Sequence, residues 1–282
     1  MATSSPELIV LMTDYGLVDP YVGIMKGVIA GIAPATRVID LTHDIQPGNI
    51  RQGAIILRES YEYFPKRTIF VGIVDPGVGS NRRPILISSM EHFFIGPDNG
   101  LFSYVHRNNF ITRELVNPLY HQEQISTTFH GRDIFATAAA HLAAGVSQDN
   151  FGPIIEPIIR IPFPHLALVS RNTLEGEILF TDRFGNISTS ICARRVAAGK
   201  IGLFDWENKE IIMGNRAQIA LHLPSGKILR MVSTFRDLAS GDCGILLNSG
   251  GLIEIVANQA SAKEILGLEP GVRILLKINS SN

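Results

Sequence analysis

The chain has 282 residues, 45% of them hydrophobic and 18% charged, and its 25 basic and 26 acidic side chains leave a formal net charge of -1. At roughly 100 to 200 residues per domain, that length suits two domains or one large one with a full core. The near-neutral balance offers no basic stripe for nucleic acid, and Cys192 and Cys243, without CxxC spacing, are too few for a disulfide framework.

The opening MATSSPELIVLM lacks a basic segment followed by a long apolar run, and nowhere do about 18 apolar residues follow one another without a break. A soluble, cytoplasmic protein with no membrane partner is expected. ELIVLMT is a short apolar run ending at Asp14. Asp19 and Pro20 then supply an N-cap and a first helical residue for YVGIMKGVIAGIA, which Pro34 stops. TRVIDLT reads as a strand, and Asn49 caps a helix through IRQGAIILRESYEYF that ends before Pro65. TIFVGIV follows as a strand covered on both faces. PILISS and HFFIG are further strands, GPDNG is a turn cluster, and GRDIFATAAAHLAAG is an alanine-rich helix with Gly145 just past its end.

This β-α-β-α-β order predicts an N-terminal α/β domain with a mainly parallel sheet over residues 1–163. FGPIIEPIIRIPFPH, with four prolines, suits an extended linker. EGEILFTD, KEIIMG, AQIALHL, KILRMV, GILLNS, LIEIVAN and VRILLKI then predict a smaller β-rich domain over 172–282, sandwich or barrel, with one short helix near SAKEILG.

Three glycine-bearing runs hold residues that make poor core material: VDPGVG at 74–79, FHGRD at 129–133 and DRFGN at 182–186. The first follows a strand, and the carboxyl ends of strands in open α/β sheets face the ligand crevice, so Asp75 is a candidate for chemistry. Its alternative is turn capping. Asp14, ending the first strand in TDYG, either accepts hydrogen bonds from a vicinal diol or makes an Asx-turn. His130, at a helix start beside Gly131, lies where backbone N–H groups gather, whereas Arg132 and Asp133 read as a local pair and cap. Arg82 has a rival in Arg83. In DRFGN, Asn186 suits a purine edge, Phe184 its face and Asp182 an ammonium group. NSGG, with Ser249, offers loop amides and a hydroxyl or simply turns a hairpin.

In this order, TDYG with DPYVGIMKGVI, LTHDI, VDPGVGS with Arg82, GPDNGL, TFHGRDIFA, DRFGN and NSGGLIEIVANQASA together resemble the S-adenosyl-L-methionine (SAM) hydrolases. These are also called SAM hydroxide adenosyltransferases and are relatives of the fluorinase and chlorinase enzymes. The resemblance runs from about residue 8 to 278 and implies a C-terminal β-barrel-like domain. It also implies a homotrimer, with active sites between the N-terminal domain of one subunit and the C-terminal domain of its neighbour. It carries the hydrolases' Asp-Arg-His set onto Asp75, Arg82 and His130, a set that the halogenating relatives lack. It further implies that Asp14 holds the ribose hydroxyls, that Asn186 and Phe184 contact the adenosyl portion, and that Asp182 and Ser249 hold the methionine portion. Gly250 stands where the fluorinase has an arginine, a departure that bears on the methionine carboxylate.

The expected reaction is hydrolysis of a small-molecule substrate, SAM, to adenosine and L-methionine, with no metal and no organic cofactor. A sulfonium leaves as a neutral thioether, so no general acid is needed. The work lies in activating water, by Asp75 or His130 as base with Arg82 as electrostatic support. Three other readings stand beside it. A metal-dependent phosphoester hydrolase draws on Asp14, Asp75, His43-Asp44 and Asp98-Asn99. The remaining two are a SAM-dependent halogenase and a non-catalytic adenosyl-binding protein.

Overall fold

The computed structural model describes residues 8–89, 91–105, 110–197 and 199–279. The first seven residues, on which the leader reading partly rests, and the last three of the expected C-terminal domain lie outside that set. The chain divides into two compact units, Met1–Pro162 and Phe163–Asn282.

In the first unit the elements are β1 (Leu8–Thr13), α1 (Tyr21–Ile32), β2 (Arg37–Thr42), α2 (Ile50–Ser60), β3 (Thr68–Ile73), β4 (Pro84–Ser88), β5 (His92–Pro97) and β6 (Ile111–Glu114). A π-helical segment, Gly131–Ala136, then runs directly into α3 (Thr137–Ala143). The six strands form one sheet in the order β2-β1-β3-β5-β4-β6, parallel from β2 to β5 and antiparallel at β4 and β6. The period of two in a strand divides its side chains between two cores. Ile9 and Leu11 of β1 with Ile69, Val71 and Ile73 of β3 pack against Met25 and Ile29 of α1 and the alanines of α3. Leu8, Val10, Met12 and Phe70 face the other way, toward Leu57 of α2 and Phe94 and Phe102. Burial on both faces explains the uninterrupted apolar runs of β1 and β3.

Asn49 caps α2 as expected, its side chain accepting from the Gln52 N–H. Asp19 does not cap α1. Pro20 itself occupies the cap position, and no side chain bonds to the first turn. The outer face of α1 carries Gly23, Gly27 and Gly31 with no atom within 4 Å of where a Cβ would stand, and Ile24 beside them is 39% exposed.

The second unit holds β7 (Leu166–Ser170), β8 (Thr173–Thr181), β9 (Ile187–Ala197), β10 (Lys200–Phe204), β11 (Glu210–Asn215), β12 (Ile219–His222), β13 (Ile228–Arg230), β14 (Cys243–Leu247), β15 (Leu252–Ala257), α4 (Ala262–Leu266) and β16 (Arg273–Ile278). Its ladders are antiparallel throughout. Strands β9, β8, β16, β12 and β13 follow one another, β14 and β15 return to β9, and a parallel bridge between Met231 and Ile245 joins the two arms. The result is a small barrel filled by side chains such as Leu174, Ile178, Leu221, Ile245, Ile255 and Leu276.

The proline-rich stretch read as linker is followed at once by a strand, β7, which pairs with β8 and lies between the two expected domains. Strands β9 and β10 are absent from the sequence reading. Ser188, Thr189 and Ser190 of β9 give it a loop-like composition, yet all three are buried. Their hydroxyls find partners inside: Thr189 Oγ1 donates to the Ile253 carbonyl at 2.6 Å, and Ser190 Oγ to the His165 carbonyl at 2.5 Å. No described helix is long and apolar enough to cross a membrane.

Candidate active site

Strand β3 delivers Val74 and Asp75 to the carboxyl edge of the sheet. There the chain turns sharply: the Val78 N–H donates to the Asp75 carbonyl at 3.2 Å, and the Ser80 N–H and hydroxyl donate to the Gly77 carbonyl at 3.1 and 2.6 Å. The turn brings Arg82 back onto the residue that began it. Its Nε donates to Asp75 Oδ1 at 3.1 Å and Oδ2 at 2.9 Å, and Nη2 donates to Oδ2 at 2.6 Å. Both side chains are nearly sealed from solvent, at 8% exposure for Arg82 and 5% for Asp75. A buried pair of this kind offsets its desolvation only by good geometry and full hydrogen bonding. The guanidinium also lies 5.2 Å over the Phe135 ring, a cation–π contact.

Nη2 of Arg82 stands 2.7 Å from His130 Nδ1. A guanidinium only donates, so Nδ1 is the acceptor, and the neutral ring carries its hydrogen on Nε2. Burial, and then the adjacent Arg82 charge, push the His130 pKa below the ordinary imidazole value, against the pull of Asp75 and Asp133. Asp75, Arg82 and His130 are therefore one hydrogen-bonded unit with Arg82 at its centre.

Two glycines let the loops that carry these residues meet. At Gly79, φ is +76°, and a Cβ there would collide with the Thr127 carbonyl oxygen. At Gly131 a Cβ would stand 2.6 Å from the Tyr15 hydroxyl. Phe129, edge-on to Tyr15 and Tyr21, anchors the second loop from beneath. Asp133 is fully buried; it pairs with Arg132 as expected and also accepts the Ser126 N–H at 2.8 Å, which ties the loop to the π-helical segment.

Asp14 makes a tertiary contact rather than an Asx-turn: Oδ2 accepts the Gly48 N–H at 2.8 Å, and Oδ1 accepts no hydrogen bond among the described residues. Tyr15 is a site residue that the sequence reading passed over, although it lies inside TDYG. Burial first, and then the charges of Asp14 and Asp75, raise its pKa well above the ordinary phenol range, so the hydroxyl stays protonated and able to donate. His43 and Asp98, which motivate the metal reading, are engaged elsewhere. His43 Nδ1 is 2.9 Å from Thr13 Oγ1, and Asp98 is ion-paired to Arg83. No group of three or more potential metal ligands occurs among the described residues.

In the second unit, Asp182, Phe184 and Asn186 share the turn between β8 and β9. Asp182 Oδ1 accepts the N–H groups of Phe184 and Asn186 at 2.8 and 2.9 Å, and Oδ2 accepts Asn186 Nδ2 at 2.9 Å. Phe184 stands out from this turn at 73% exposure. Ser249 is exposed on a separate turn, between β14 and β15, where Asn248 Oδ1 accepts the Leu252 N–H at 2.9 Å. Glu254, also absent from the sequence reading, lies opposite Ser188 on β9. Burial and then the Asp182 charge raise its pKa.

Residues 9–152 match the SAM hydroxide adenosyltransferase N-terminal domain, and residues 176–275 match the C-terminal domain of the same family. The chain belongs to the SAM hydroxide adenosyltransferase family. It is 34% identical over 267 residues to an (R)-S-adenosyl-L-methionine hydrolase of Salinispora tropica, covering 93% of this chain and 94% of that protein. It is 26% identical to a fluorinase of an Actinoplanes species, covering 97% of this chain and 98% of the relative. The crystal structure of an uncharacterised conserved protein from Thermotoga maritima superposes with a TM-score of 0.82 at 28% identity, over 95% of this chain and 99% of that one.

For this member of the SAM hydroxide adenosyltransferase family, the perturbed histidines carry a pH prediction. His92, His121 and His130 all have pKa values lowered, with burial as the largest cause. The folded state thus favours the neutral rings, and the unfolded chain binds more protons below its own value of about 6.5. The stabilisation is complete above that value and is lost as pH falls through the folded-state values. Thermal unfolding midpoints should drop between about pH 7 and 5; a level or rising midpoint across that window contradicts the assignment.

Proposed function

We propose that the chain hydrolyses S-adenosyl-L-methionine to adenosine and L-methionine. One observation carries the reading: a single guanidinium hydrogen-bonded at once to Asp75 and to His130 Nδ1. Because Arg82 occupies Nδ1, and Nε2 bears a hydrogen, His130 presents a donor and not a base. Asp75 Oδ1, which receives only the longer Nε contact, is the acceptor within the unit. A water proton passes to that oxygen as the water oxygen forms a bond to C5′. The C5′–S bond breaks in line, and its electron pair stays on sulfur as neutral methionine. Arg82 supports the growing hydroxide character, and the proton leaves Asp75 for solvent.

The rest of the substrate falls to residues of both units. Asp14 Oδ1 takes a ribose hydroxyl. Phe184 and Asn186 take the adenosyl portion, and Ser249 the methionine portion. Asp182 also takes the methionine portion, since Oδ2 accepts one hydrogen bond, from Asn186 Nδ2, and keeps a second acceptor position. The assembly we propose is a homotrimer in which each site joins the first unit of one subunit to the second unit of the next. The exposed glycine face of α1, with Leu17 and Val18 at 66% and 100% exposure ahead of it, supports close approach by another copy. Sedimentation equilibrium should return three times the chain mass, and a monomer would sink the assembly.

The deciding experiment is incubation with SAM in heavy-oxygen water, with and without chelator. Adenosine bearing one heavy oxygen, formed equally in both, is expected. A chloride-dependent product at C5′, activity that needs a divalent ion, or adenosine binding with no turnover would each overturn the reading.

A further inference from the structure

The GPDNG cluster after β5 reads from sequence as a turn, but its two polar residues reach the backbone on either side of the Asp75–Arg82 pair. Asn99 Nδ2 donates to the Val74 carbonyl at 2.8 Å, the last carbonyl before Asp75. Fixing that carbonyl fixes the peptide plane on which Asp75 is hung. Its Oδ1 meanwhile accepts the Leu101 N–H at 3.2 Å, which holds the cluster's own turn.

Asp98 secures the other end. At 2% exposure it pairs with Arg83 Nε at 2.9 Å and with Nη2, accepts the Ile159 N–H at 2.8 Å, and donates its own N–H to the Arg83 carbonyl at 2.9 Å. Arg83 is thereby held by side chain and backbone together. With Arg83 committed to Asp98, the neighbouring Arg82 is free to point at Asp75 and His130. This answers the rivalry between the two arginines that the sequence leaves open.

We propose that Asn99 is a positioning residue for the hydrolytic site, acting on Asp75 through the Val74 carbonyl, with Asp98 anchoring the cluster against Arg83. The inference rests on the hydrolase reading given above. Asn99 touches no reacting atom; it fixes where the carboxylate sits relative to Arg82, and so the geometry of the whole unit. A displacement of about 1 Å in such an arrangement costs on the order of 10²-fold in rate.

Two variants separate positioning from simple turn formation. Asn99→Asp keeps an oxygen for the Leu101 N–H but loses the donor to Val74, whereas Asn99→Ala loses both. Positioning predicts that both variants lower kcat by about 10- to 100-fold with KM for SAM nearly unchanged. A turn role alone predicts that Asn99→Asp stays at the wild-type kcat, and that result would overturn the proposal. A second readout does not depend on turnover: the histidine NMR titration of His130, whose charged neighbours are Arg82, Asp75 and Asp133. Loosening Asp75 loosens Arg82, and since these two charges act on the ring in opposite directions, the His130 midpoint should move away from its wild-type value in both variants. A midpoint identical to wild type in both would also overturn the proposal. Should the wild-type protein fail to hydrolyse SAM, the hydrolase reading falls while the titration still decides the role of Asn99.

Discussion

Asp75→Asn should lower kcat for SAM hydrolysis by about 10² to 10⁴-fold, the range expected when a positioned base is lost. The amide keeps the shape of the carboxyl group, but it has no charge to balance Arg82 and no oxygen able to take a proton from water. Binding of adenosine, which makes no demand on a base, should change little by calorimetry. Turnover within tenfold of wild type would remove Asp75 from the role of acceptor.

Gly79→Ala should damage the site without touching any of its side chains. The left-handed backbone there costs a residue with Cβ about 1–2 kcal/mol, and the added carbon runs into the Thr127 carbonyl oxygen, which is backbone and cannot swing aside. The two loops must part, and the 2.7 Å contact between Arg82 and His130 goes with them. We expect kcat to fall by at least about 10²-fold and the unfolding midpoint to drop by about 2–8 °C. Gly226→Ala is the control. Gly226 has a φ of +86° and open space around it, so that variant meets the same backbone strain without a collision and should keep full activity. Equal kcat in the two variants would mean that the contact with Thr127 is incidental.

Much of the first unit was legible because β1 and β3 are buried on both faces, where apolar residues dominate. Asn49 marked α2 by the one contact that an N-cap makes. Asp19 misled because Pro20, with its fixed φ and missing N–H, takes the cap position unaided. In the second unit the reading failed at β9, where Ser188, Thr189 and Ser190 look like loop and are core. Hydroxyls that donate to main-chain carbonyls of distant segments cannot be told from solvated ones by composition.

The site divides in the same way. Asp75 and His130 stood out because ionisable residues beside glycines at strand and helix ends have few structural uses, whereas only the family resemblance chose Arg82 over Arg83. Tyr15 did not stand out, and Asn99 entered only with the metal reading, since an aromatic residue in a loop and an amide in a turn have many such uses. Their roles lie in where a hydroxyl or an amide hydrogen points, and that depends on segments distant in the chain. The Arg82–Asp98 spacing carries no sign that the neighbouring Arg83, and not Arg82, is the partner of Asp98.

The tautomer imposed on His130 has one more consequence. A sulfonium is an alkylating agent, and a neutral imidazole is attacked at the nitrogen that lacks hydrogen. Here that nitrogen, Nδ1, spends its lone pair on Arg82 at 2.7 Å, so in the proposed site the ring would offer a bound sulfonium only an N–H and carbon. On that reading, an imidazole held next to an alkylating substrate is spared modification of its own side chain.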